Sequence, residues 1–183
     1  MDRRRVLVLT AGVLASGIAR AEVYFDEAGA RRALFPRATR FEDRSLTLSK
    51  AQLKQISVRS RTRFNMPLLR AADAWIGEQR IGRLFIDRVY GKHEFITYAV
   101  ALDAQERVAG VEIMEFIESY GDQVRGAAWR AQFHGKRVGE ALEIDRPIRN
   151  ISGATLSCAH VTDGVRRLLV TNALLFAGGV EAS

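Results

Sequence analysis

The sequence predicts an α+β fold: an antiparallel, strand-rich core with helices packed on it, and a final helix opening at Ser152-Gly153-Ala154-Thr155. Three observations predict it. Between residues 80 and 117, three β-rich stretches follow one another across short polar turns. After Ser152, the apolar residues Leu156, Val161, Val165, Leu168, Leu169 and Leu175 recur at helical spacing, with Asp163, Arg166 and Arg167 mostly on the other side. Strands followed by helices, in 183 residues that are 48% hydrophobic, suit one core of ordinary size.

The chain opens with Arg3, Arg4 and Arg5, an uncharged run over 6–18, and a small-x-small site at Ala19-Arg20-Ala21. This is the architecture of a secretory signal peptide over 1–21. The run falls short of the roughly 20 apolar residues that a membrane-spanning helix needs. The arginine pair also loosely resembles a twin-arginine export signal. The expected location is therefore exported and periplasmic, soluble or peripherally attached to the inner membrane. Of the net charge of +7, the four arginines and one aspartate of 1–21 contribute +3, which leaves a mild +4 beyond. An exported chain with so little excess charge and no binding motif is expected to have no nucleic-acid partner.

Residues 22–75 read as a helical N-terminal extension. Helices are expected over Glu27–Leu34, broken at Phe35-Pro36, and over 46–56 with Ser49 as N-cap. The segment 64–69, with Pro67, reads as an irregular connection. The main domain is expected over 76–183. Strands are predicted over 80–90, 95–102 and 108–117, with a turn at 103–106 and a bulge at Gly110. A helix is predicted over 124–133, ended by His134-Gly135. An extended stretch over 142–148 then leads to the last helix, with Ser152 as its N-cap.

The candidate chemistry lies in the segment Ile151-Ser152-Gly153-Ala154-Thr155-Leu156-Ser157. The first N–H groups of a helix lack internal partners and carry the positive end of its dipole, so they favour an anion such as phosphate. Gly153 and Ala154 keep the approach to the backbone open, and Thr155 offers a hydroxyl. By itself this pattern is also ordinary helix capping. Cys158 is expected to be a small buried residue rather than a redox centre, and Trp129 to be core. His93, His134 and His160 have no metal-ligand spacing, so no metal site is expected. No Gly-x-Gly-x-x-Gly, phosphate-binding loop, His-Glu-x-x-His or Gly-x-Ser-x-Gly occurs, which leaves nucleotide hydrolysis, zinc proteolysis and α/β-hydrolase chemistry without support.

The window from Ile151 to Val165 resembles the FMN-binding domain family, which includes the C subunit of the sodium-translocating NADH:quinone reductase and the G subunit of the Rnf complex. The family hallmark is a Ser/Thr-Gly-Ala-Thr tetrad opening a helix. The resemblance extends to the strand Val108-Ala109-Gly110-Val111-Glu112-Ile113-Met114-Glu115, the turn Glu118-Ser119-Tyr120-Gly121 and the element Gln132-Phe133-His134-Gly135-Lys136, in the family's order over about 81–169. It implies a flavoprotein whose FMN is esterified to Thr155, with Ser152, Gly153, Ala154, Leu156, Ser157 and Tyr120 around the cofactor. It implies a flavin transferase as maturation partner, membrane or periplasmic redox proteins as electron partners, and no catalytic residue of the chain's own. An electron carrier or redox-complex subunit is expected rather than a stand-alone enzyme. Arg149 departs from the pattern, since the family usually has an acidic residue there; Asp145 supplies it instead, or Arg149 faces the phosphate. The alternative is an accessory or binding module with the same fold and only non-covalent flavin or none.

Overall fold

A computed structural model describes residues 22–117 and 121–176, so the expected signal peptide over 1–21 and Tyr120 lie outside the described residues. The centre is an antiparallel sheet. Its strands are β1 (Glu22–Val23), β2 (Arg40–Asp43), β3 (Leu46–Thr47), β4 (Leu68–Ile76), β5 (Gln79–Tyr90), β6 (Phe95–Asp103) and β7 (Val108–Phe116). The order is β1-β7-β6-β5-β4-β2, with β3 on the far end of β4. The three predicted strands are β5 to β7, and the turn after Asp103 closes on the Asp103 carboxylate, which accepts from the N–H groups of Gln105 and Arg107. The expected bulge is present: Ala101 pairs Gly110 but Leu102 pairs Val108. A Cβ on Gly110 would come within 2.8 Å of Leu34, so glycine there also lets helix α1 (Glu27–Leu34) lie close on the sheet.

Helix α1 covers one face, where Ala30 and Phe35 pack with Ala74, Leu84, Ile86, Ala99, Ala101 and Met114. Asp26 caps it through Gly29 N (2.6 Å). The opposite face carries the larger core, built around Phe85, Tyr98, Val100, Val111 and Phe116 and covered by α2 (Lys50–Ser60) and the last helix, α4 (Thr155–Leu175). Ser49 caps α2 in a reciprocal box with Gln52, as its position predicts. The N-terminal part supplies both expected helices, the second over Lys50–Ser60 rather than 46–56 because Leu46–Thr47 pair with β4 as β3, and it also adds β2 and β4 to the same sheet, with β4 running across residue 75. The apolar residues of 40–43 and 46–47 are too few to announce strands without their partner β4.

The expected helix over 124–133 is broken. A 3-10 turn (Asp122–Arg125) is followed by α3 (Ala127–Arg130) and a second 3-10 turn (Ala131–Phe133). Gly126 separates the first two, at φ −55 and ψ 124, outside helical geometry. Gly135 then takes φ +75, the left-handed conformation expected past the end. The extended stretch over 142–148 forms the two-residue strands β8 (Glu143–Ile144) and β9 (Pro147–Ile148).

Two buried polar clusters fasten α4 to the sheet. Near its C-terminal end, Arg83 makes a bidentate contact with Asp73 (2.7 and 3.1 Å) and donates to Asn172 Oδ1 (3.1 Å). Near its middle, Asp87 Oδ2 accepts from Tyr98 Oη (2.9 Å) and from Arg167 Nη2 (2.5 Å). Tyr98 reaches Asp87 beneath α4 because Gly164 has no side chain: a Cβ there would lie 2.1 Å from the phenol oxygen. These contacts set the height of α4 over the sheet and therefore the position of its first turn.

Candidate functional site

The chain enters α4 through a tight turn in which Ala154 N donates to Ile151 O (3.0 Å). Gly153 sits third in that turn at φ +85, the conformation a type II turn requires there. Among the described residues nothing lies within 4 Å of the point where its side chain would begin. The N-cap is Ala154, with no side-chain cap, so the expected capping by Ser152 is corrected: the turn holds Ser152 two positions ahead of the cap. Among the described residues, the first N–H groups of this long helix thus have no side-chain acceptor, beside the positive end of its dipole.

Ser152, Gly153, Thr155 and Leu156 are exposed, whereas Ala154 and Ser157 are buried. Ala154 belongs to the main core. Ser157 lies under Gly121, where a Cβ would come within 2.6 Å of its Oγ; Gly121 has φ +96. Thr155 is the first residue of α4, and its Oγ1 accepts from Asn150 Nδ2 (3.0 Å). The Asn150 carbonyl oxygen in turn accepts from Ile151 N (2.8 Å), which fixes the amide.

Beside this turn runs an open groove of about 690 Å³ whose walls include Trp129, Gln132, Lys136, Arg149 and Ile151. Trp129 is buried as expected, and its Nε1 donates to Arg149 O (2.9 Å). Gln132 Oε1 accepts from Arg149 N (2.8 Å). The backbone of Arg149 is therefore held on both sides while its side chain stays exposed in the groove. Asp145 is exposed and stands in the link between β8 and β9 at φ +65. Cys158 is fully buried one turn below Thr155, and burial pushes its thiol above the ordinary 9.0, so it is held as the neutral form. Sequence reasoning missed Asn150, and it placed Gln132 only in the element 132–136 without its contact to Arg149. An asparagine just ahead of a turn was the available signal for the first; the contact of the second spans 17 residues and has no local signal.

Fold and helix start together define a small α+β domain that presents one exposed threonine hydroxyl next to uncapped helix amides, a setting suited to a phosphate group. Residues 91–170 match the family model of the FMN-binding domain, so this segment belongs to that family and the protein is an FMN-binding flavoprotein with FMN as its cofactor. Comparison with curated proteins gives no match. The local structure fits the cofactor: the open outer face of Gly153, the free first turn of α4 and the basic side chains of Arg149 and Lys136 in the adjoining groove suit an anionic phosphate group. Among the described residues no helix is long and apolar enough to cross a membrane.

Proposed function

We propose that the protein is an exported electron carrier that holds FMN through a phosphoester between the cofactor phosphate and Thr155 Oγ1. The observation that carries this reading is the exposed Thr155 hydroxyl at the first position of an uncapped helix, oriented by Asn150 and entered through an unobstructed glycine turn. Bound FMN supplies the redox chemistry through its isoalloxazine ring. The chain's own part is to place the hydroxyl, to leave the helix amides free for the phosphate, and to keep Cys158 neutral and out of reach. A tether suits a protein that works outside the cytoplasm, where released flavin is lost. The maturation partner is a flavin transferase, the electron partners are membrane or periplasmic redox proteins, and residues 1–21 serve as the export leader.

The test is the mass of the peptide containing Thr155, from cells competent in flavinylation. The expected gain is that of FMN less one water, together with yellow colour that survives denaturation and is absent from folded Thr155→Ala. An unmodified peptide, or colour retained in that variant, defeats the reading.

Arg149 favours a second reading, an accessory module of a redox complex with loosely held flavin or none, because an exposed cation stands where the family usually has an acid. Acid precipitation separates the two. Esterified flavin stays with the pellet, and loosely held flavin leaves with the supernatant.

A further inference from the structure

A second cavity opens beside α4, away from the Arg149 groove. It has a volume of about 640 Å³, within the usual range for small-ligand sites. One wall is α4 itself, through His160, Asp163 and Arg167. These lie on one helical stripe whose next position toward the N-terminus is Leu156, adjacent to Thr155. The other walls are the segment 61–66 after α2 and the facing ends of β5 and β6. Most of these lining residues precede residue 91, so the cavity is largely built by chain outside the segment that matches the family.

Its chemistry is uneven in charge. Arg61, Arg63, Arg88 and Arg167 line it against a single carboxylate, Asp163, which is already held by Arg166 at 2.6 Å. Arg167 is 5% exposed, and its Nη2 is used by Asp87, but its Nε has no hydrogen-bond partner among the described residues. His160 Nδ1, in the same wall, is also shut off from solvent without a partner among the described residues. The cavity also holds three rings. Phe64 lies under the Arg167 guanidinium (4.8 Å), Phe95 under that of Arg88 (4.7 Å), and Tyr90 packs edge-on to Phe95 at 5.3 Å. Tyr90 and Phe95 remain 53% and 41% exposed at the rim, open to stacking by a further ring.

We propose that this cavity is a binding site for a small aromatic anion, a planar ring system bearing sulfonate, carboxylate or phosphate groups, held by Arg63, Arg88 and Arg167 and stacked against Tyr90 and Phe95. A concave site of this volume suits a small molecule, and the surplus of guanidinium groups selects for negative charge. The site does not depend on flavin at Thr155.

The experiment is calorimetric titration of the mature chain with anthraquinone-2,6-disulfonate, with sodium sulfate as the non-aromatic comparison. It is run on flavinylated protein and on Thr155→Ala. Expected are saturable one-to-one binding in both forms, far weaker binding of sulfate, a loss of about tenfold or more in affinity for Arg63→Ala/Arg88→Ala, and no change for Arg37→Ala, an exposed arginine that does not line the cavity. Both substituted arginines of the pair are exposed, and circular dichroism checks that the variant is folded. Absence of saturation in the millimolar range, or equal weakening by Arg37→Ala, overturns the proposal. So does binding by Thr155→Ala alone, which would make the cavity the berth of the chain's own flavin and leave the Thr155 attachment standing.

Discussion

Replacing Gly164 by alanine sets two opposing effects against each other, and the structure decides between them. Alanine is favoured over glycine within a helix by about 1 kcal/mol. Against this, the new methyl would lie 2.1 Å from the Tyr98 oxygen, 2.7 Å from its Cζ and 3.0 Å from Val89 Cγ1. Ordinary contact distances demand a displacement of roughly 1 Å or more. The ring has nowhere to go: Tyr98 is fully buried, and its hydroxyl is committed to Asp87, which also holds Arg167. Overpacking costs about 1–3 kcal/mol, and displacing α4 also strains a buried ion pair whose disruption costs about 3–5 kcal/mol. The expected outcome is a net loss of about 2 kcal/mol or more, read as a lower urea midpoint with the slope unchanged. Tyr98→Phe removes the shortest contact, so Gly164→Ala should cost less in that background than in the parent. A Gly164→Ala protein as stable as the parent, or more so, would refute the claim that α4 rides directly on Tyr98.

Asn150→Ala removes the amide that orients the Thr155 hydroxyl in an exposed setting; flavin content per chain, by absorbance, should fall several-fold while the thermal midpoint barely moves. Stability should also respond to alkali through Tyr98. Burial first, and then the charge of Asp87, hold its phenol well above the ordinary 10.0. The folded form therefore keeps a proton that the unfolded chain releases, so this contribution is intact below about pH 10 and is lost as pH rises toward the folded value. Urea midpoints across that range should fall for the parent and fall less steeply for Tyr98→Phe.

Much of the fold was legible because its signals are local. Ser49 caps the helix that follows it, the polar turn at 103–106 joins two β-rich strands, and Gly110 marks its own bulge. The helix over 124–133 was misjudged because periodicity continues through Gly126 while the backbone does not. The same distinction runs through the site. Thr155 at the head of the last helix could be read from Ser152-Gly153-Ala154-Thr155 together with the elements that precede it. That Ser152 lies in the turn rather than at the cap depends on a φ of +85 at Gly153, which composition does not dictate.

From its own residues and the resemblance they carry, the sequence determined the α+β plan, its three central strands, its closing helix and the hydroxyl that helix presents. Tertiary structure alone decided how high α4 sits and that arginines from distant segments converge on one cavity. The reason is separation along the chain. Arg167 meets Asp87 across 80 residues and Arg83 meets Asn172 across 89, and such pairs leave no mark in any short window of sequence.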